Sequence, residues 1–186
     1  MTQLNEQYLR MQKLAGVITE NEYKEKLEEG EAETAVNKAA TVVPKLEKSS
    51  EMDKLADKVA KDPNLMKQLE KALAAGGIQL NEVELDNSDM KQLALNFAKK
   101  GETLKEEYRS PEEMSYDDKP GEENIVGLGM LGGVVGGTLG AALTSTIVAA
   151  IPVVGSLFAG PAVLGAVAGF ALFVLAKKVY AKSKNN

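Results

Sequence analysis

Residues 125–176 read IVGLGMLGGVVGGTLGAALTSTIVAAIPVVGSLFAGPAVLGAVAGFALFVLA, 52 positions without one Asp, Glu, Lys or Arg. As a single helix the stretch would be about 78 Å long at ~1.5 Å per residue, against ~30 Å of bilayer hydrocarbon. Two spans of about 20 apolar residues and a turn use it up. Ala150-Ile151-Pro152 is the natural turn, since proline cannot continue the helical hydrogen-bond ladder and pushes the residue before it out of the α region. The stretch predicts a helical hairpin lying in a membrane, 125–149 and 153–176. Gly160-Pro161 is a competing break, which would put a longer irregular connection between shorter spans.

Glycines four apart extend this reading. Gly129, Gly133 and Gly137 form one row and Gly132, Gly136 and Gly140 another; with Gly127 they make seven glycines between Ile125 and Leu143. In a water-soluble helix each costs about 1 kcal/mol relative to Ala. In lipid, small residues four apart let a second backbone approach closely, so two adjacent rows suggest a glycine zipper. Gly165 and Gly169 repeat the spacing in the second span. Packing within one hairpin and packing between chains both satisfy the pattern.

Gly127-Leu128-Gly129-Met130-Leu131-Gly132 also fits the dinucleotide fingerprint G-x-G-x-x-G. That fingerprint needs a preceding strand and an acidic residue about 20 positions on. Pro120-Gly121-Glu122-Glu123-Asn124 is no strand, and no acidic residue follows Glu123, so the match is set aside.

The first 124 of the 186 residues hold all 27 acidic and 18 of the 22 basic residues, a net −9; Lys177, Lys178, Lys182 and Lys184 leave +4 behind the apolar stretch. An acidic head argues against nucleic-acid binding. Lys177 and Lys178, directly after the second span, suit a membrane interface and anionic headgroups. With no cysteine, histidine or tryptophan there is no thiol nucleophile, imidazole base, disulfide or ordinary zinc site. No catalytic residue, metal ligand or cofactor site stands out, and the expectation is a non-enzyme. The amino terminus is polar, so insertion is expected to rely on the hairpin, which returns the chain to its starting side. Both termini then share one compartment, the cytoplasm or the interior of a membrane-bearing particle.

The head reads as helices. Leu4, Tyr8, Met11 and Leu14 recur at helical spacing and Gly16 is placed to end that helix. Thr19-Glu20-Asn21-Glu22 is a capping box for a second helix ending near Gly30. An alanine-rich helix over 31–43 is stopped by Pro44. Ser49 or Ser50 caps a fourth helix, and Asp62-Pro63 caps a fifth that closes at Gly76-Gly77. Ile78, Leu80, Val83 and Leu85 could form a short extended piece. Asn87 or Ser88 then caps a helix ending at Gly101. Asp62…Met66-Lys67-Gln68-Leu69 recurs 24 positions later as Asp86…Met90-Lys91-Gln92-Leu93, a weak internal repeat. Asp86-Asn87-Ser88-Asp89 lacks the alternating ligands, sixth-position glycine and distal Glu of a calcium loop and reads as an acidic N-cap cluster. Residues 102–124, acidic and carrying Pro111 and Pro120, read as a solvated flexible linker.

Leu9, Met11, Leu14, Gly16-Val17-Ile18-Thr19, Glu22-Tyr23, Lys26 and Leu27 resemble the short SHOCT motif, a helical hairpin with a G-[IV]-I-T-x-x-E-[FY] core. The resemblance covers about 25 residues, contains no chemistry, and implies oligomerisation. SHOCT motifs are commonly C-terminal, whereas this one lies near the start of the sequence. The opening is also similar to small virus- or phage-encoded structural proteins, which implies a virion membrane component.

The organisation expected is all-α: a SHOCT-like hairpin (1–30), a helical head (31–101), an acidic linker (102–124), a glycine-rich transmembrane hairpin (125–176) and a basic tail (177–186). Two functions follow. One is a non-enzymatic membrane protein that anchors and assembles partners, with the bilayer, its own copies and a protein for the acidic head as partners. The alternative is an oligomeric pore, holin-like, toxin-like or used in genome delivery, lined by Thr138, Thr144, Ser145, Thr146 and Ser156.

Overall fold

The computed structural model describes residues 3–78, 86–108, 135, 137–150 and 160–183. Among them the chain is all-α: α1 (Gln3–Leu14), α2 (Glu20–Ala39), a 3-10 turn (Ala40–Val42), α3 (Val43–Glu47), α4 (Ser50–Lys61), α5 (Pro63–Ala75), α6 (Asn87–Tyr108), α7 (Gly137–Ala150) and α8 (Pro161–Ser183). The expected extended piece after Ile78 lies outside the described residues, as do the zipper glycines Gly129, Gly132, Gly133 and Gly136.

Local chemistry sets most helix starts. Glu22 N–H donates to Thr19 Oγ1 (3.3 Å) while Thr19 N–H donates to Glu22 Oε2 (2.7 Å), a complete capping box on α2. Ser49 Oγ accepts from Met52 N–H at 3.3 Å, opening α4. Asp62 Oδ1 accepts from Asn64 and Leu65 N–H, with Pro63 in the first turn of α5. Gly16 (φ 71°) follows α1 and Gly77 (φ 86°) follows α5, both in the left-handed region that glycine adopts at little cost.

Four boundaries differ from expectation. α2 runs through Gly30, because Ala32, Ala35, Val36 and Ala39 beyond it are buried and Thr34's hydroxyl donates to the Gly30 carbonyl (2.8 Å). That packing outweighs the roughly 1 kcal/mol a mid-helix glycine costs. Pro44 opens α3 rather than ending the structure there. α6 is capped by Asp86, whose Oδ1 accepts from Ser88 (2.6 Å) and Asp89 (2.9 Å) N–H, in place of Asn87 or Ser88. It then passes through a buried Gly101, so 102–108, expected in the linker, are helical.

The last helix begins at Pro161, behind Gly160 at φ 139°, and not at residue 153; it continues past Ala176 through the lysines to Ser183. α8 lies at the centre of the molecule, packed against α2, α3, α4, α5, α6 and α7. The sequence predicts a hairpin apart from the head, whereas α8 is the axis on which the head is built.

Candidate functional site

The element that stands out is α8. Among the described residues Ala162–Ser183 is the one helix long and apolar enough to cross a membrane. Its 22 residues span about 33 Å at ~1.5 Å each, of which the uncharged run 162–176 accounts for about 22 Å, against ~30 Å of hydrocarbon. Here 89 % of its most apolar segment is buried inside the protein. Phe170, Leu172, Phe173, Val174 and Leu175 point in different directions around the helix, and all are enclosed. A helix apolar on every side has no face to give to water.

Its closest neighbour is α6, and glycine is the reason. A Cβ built on Gly165 would run into the Phe97 carbonyl oxygen and lie 3.0 Å from Ala98 Cα. One on Gly169 would lie 2.7 Å from Ala94 Cα and 2.9 Å from the Leu93 carbonyl oxygen. The two helices thus meet backbone to backbone, with glycines four apart on one facing alanines four apart on the other. Small residues at this spacing permit such an approach. Phe97, fully buried, packs under the same seam.

At the far end of α8 a second pair of matched spacings appears. Lys178 Nζ lies 2.5 Å from Asp53 Oδ1 and Lys182 Nζ 2.6 Å from Asp57 Oδ1; Lys182 also donates to the Asp53 carbonyl (3.2 Å). Lysines four apart on α8 therefore meet aspartates four apart on α4. The hydrogen bond from Lys182 holds the Asp57 carboxyl below the usual carboxylate range. Lys177 is exposed.

α7 is bound less tightly. Leu139, Gly140, Leu143, Thr146 and Ile147 form its buried side. Its N-terminus is pinned by α5: Gln68 Oε1 accepts from Leu139 N–H (3.0 Å), beside Gly137 at φ 62°. Thr144, Ser145 and Thr146 hydroxyls donate to the carbonyls of Gly140, Ala141 and Ala142, at 2.9, 3.0 and 2.9 Å. Hydroxyls satisfied four residues back leave no polar demand on the surroundings.

Of the glycines singled out in sequence, Gly137 and Gly140 therefore sit on α7, and Gly165 and Gly169 on the α6 seam. Ala94, Ala98, Asp53 and Asp57 were not singled out, though each pair has the four-residue spacing that marks a shared helix face. In the N-terminal hairpin, Tyr8, Met11, Leu14 and Val17 are exposed, Leu14 to 79 %. Among the described residues no three His, Cys, Asp or Glu side chains come together to hold a metal ion. A shallow cleft between α5 and the start of α7, lined by Asp62, Lys67, Gln68, Lys71 and Thr138, has no nucleophile–base pair in it. Comparison of the chain with protein-family models, curated proteins and solved structures finds no match.

Proposed function

We propose that this chain is a non-enzymatic membrane protein whose uncharged C-terminal stretch enters a bilayer while the helical head anchors and assembles partners. The observation that carries the reading is α8 itself: a span-length helix whose apolar run ends directly on Lys177 and Lys178. The uncharged run of α8 is about 22 Å long, and the long stems of lysines at a helix end extend to headgroups on the cytoplasmic or virion-interior side. The glycine rows Gly129/Gly133/Gly137 and Gly132/Gly136/Gly140 would join copies in the membrane. The exposed apolar face of α1 would serve assembly by the head.

The pore reading would use Thr144, Ser145 and Thr146, whose hydroxyls donate to their own helix and keep their oxygens as acceptors, an arrangement that suits a channel wall and a lipid-facing helix alike. Flotation with liposomes followed by alkaline extraction tests the proposal: an anchor stays in the lipid fraction, and a chain stripped by alkali refutes membrane insertion. Gly133→Leu on the same vesicles should abolish oligomers and leave insertion intact. Dye release from those vesicles would restore the pore.

A further inference from the structure

One helix cannot occupy two places. α8 is wrapped by α2, α4 and α6, whose outer surfaces carry exposed charges, among them Glu33 and Lys38 on α2 and Lys54 and Lys58 on α4. Carrying those charges into hydrocarbon is prohibitive, so the head cannot accompany α8 across a bilayer. α8 spans a membrane only after leaving its seat against Ala94 and Ala98. Resting on the membrane reading above, this makes the enclosed arrangement the held state of a protein with a second, inserted one.

What holds the helix at its exposed end is chemically specific. Asp53 and Asp57 take the ammonium groups of Lys178 and Lys182, and their side chains are still 52 % and 54 % exposed. Partly exposed ion pairs are weak, screened, and open to competition from other anions. A bilayer rich in anionic phospholipid offers a dense array of such anions to the lysines that an inserted α8 would leave at the interface. We propose that Asp53 and Asp57 form a latch on α8, and that an anionic lipid surface opens it by taking over Lys178 and Lys182. With the latch exchanged, the apolar helix moves from the protein interior into lipid. The shared chemistry is a phosphate anion, and the bilayer is the source that also supplies an apolar destination.

The chain has no tryptophan, so Phe173→Trp places a single indole on α8, where Phe173 is buried. Lipids brominated in their acyl chains quench it only when the helix is in the hydrocarbon. The full chain is mixed with brominated phosphatidylcholine vesicles, with or without one-third phosphatidylglycerol. Quenching should be at least tenfold faster on the anionic vesicles. Inorganic phosphate added to the zwitterionic vesicles should not reproduce it. Asp53→Asn with Asp57→Asn should raise the zwitterionic rate about tenfold. Equal rates on both lipids, or an unchanged rate in the double variant, would overturn the latch and leave insertion standing. Gly169→Leu, which has no seat in the head but is fully at home in lipid, separates the two ideas. If it is quenched where the parent chain is not, on anionic vesicles included, the lipid trigger is wrong. If it too stays unquenched on every vesicle, the membrane reading fails with it.

Discussion

α7 and α8 are cut from the same uncharged stretch, yet their surroundings differ. From Ala162 to Ala176 every residue of α8 is buried, whereas α7 buries one side and leaves Ala141, Ser145, Val148 and Ala149 in water. Side-chain size separates them. α8 carries two phenylalanines among leucines and valines, each gaining about 1.5–3 kcal/mol on burial, and carries them all round. α7's open side is mostly alanine and serine, with little apolar area to hide and its hydroxyls already satisfied. Absence of charge marks α7, and α8 up to Ala176, as able to tolerate an apolar environment. Bulk decides which one the head must enclose.

The strongest way to break this contrast is to deny α8 its seat. Gly169→Leu puts a side chain where Ala94 Cα and the Leu93 carbonyl already stand, and should abolish cooperative thermal unfolding and expose apolar surface to a hydrophobic dye. Ala149→Leu on the open side of α7 should stay within about 0.5 kcal/mol of the parent chain. A cooperative transition retained in Gly169→Leu would mean that the α6 seam is not what seats the helix. Next in size, Leu172→Ala in α8 should cost about 2–5 kcal/mol in denaturant unfolding, against under about 0.5 kcal/mol for Val148→Ala, whose parent residue is 49 % exposed. Similar losses would erase the distinction between the two helices. Gln68→Ala should cost about 1 kcal/mol or less and speed hydrogen exchange at the Leu139 amide while leaving α8 amides protected.

Acid should produce the smallest effect on the seat of α8. Lys182 depresses the Asp57 carboxyl in the folded chain, so the folded state holds its proton less readily than the unfolded one. The stabilisation is therefore present above the ordinary carboxylate range and is lost as pH falls through the lowered folded value. Between neutral pH and that range, the latch contribution should be flat. Below it, the protection of amides at the C-terminal end of α8, taken relative to their intrinsic exchange rates, should fall, and Asp57→Asn should remove this loss. α7 has no ionisable side chain, and its Gln68 pin should be indifferent.

These contrasts follow the range over which each signal acts. Caps at Thr19, Ser49 and Asp62 are legible because a side chain and an amide two or three residues on decide them. The Asp86 cap is legible too, through its alignment with Asp62 in the internal repeat, although neighbouring Asn87 and Ser88 compete for the assignment. Gly30 misleads as a stop because the buried Ala32, Ala35, Val36 and Ala39 beyond it carry α2 through, and Gly101 misleads because it is itself buried within α6. Harder still is the location of α8. The apolar faces of α2, α4 and α6 each look thin, and no local pattern tells that together they make one groove. An uncharged helical run such as 162–176 reads the same in sequence whether protein or lipid surrounds it. Ala94/Ala98 against Gly165/Gly169, and Asp53/Asp57 against Lys178/Lys182, are the two matched spacings that join α8 to the head.

The position of α8 has a consequence for synthesis. The helices that enclose it precede it in the sequence, so they leave the ribosome first, and at ~5–20 residues per second several seconds pass between α6 and α8. Throughout that interval the groove under Phe97 has no occupant and the nascent head must remain loosely formed. Completion comes with the emergence of α8, which is itself a segment that a membrane insertase or a chaperone would bind. The core of a newly made copy is therefore completed only once α8 is free to enter the groove between α2, α4 and α6.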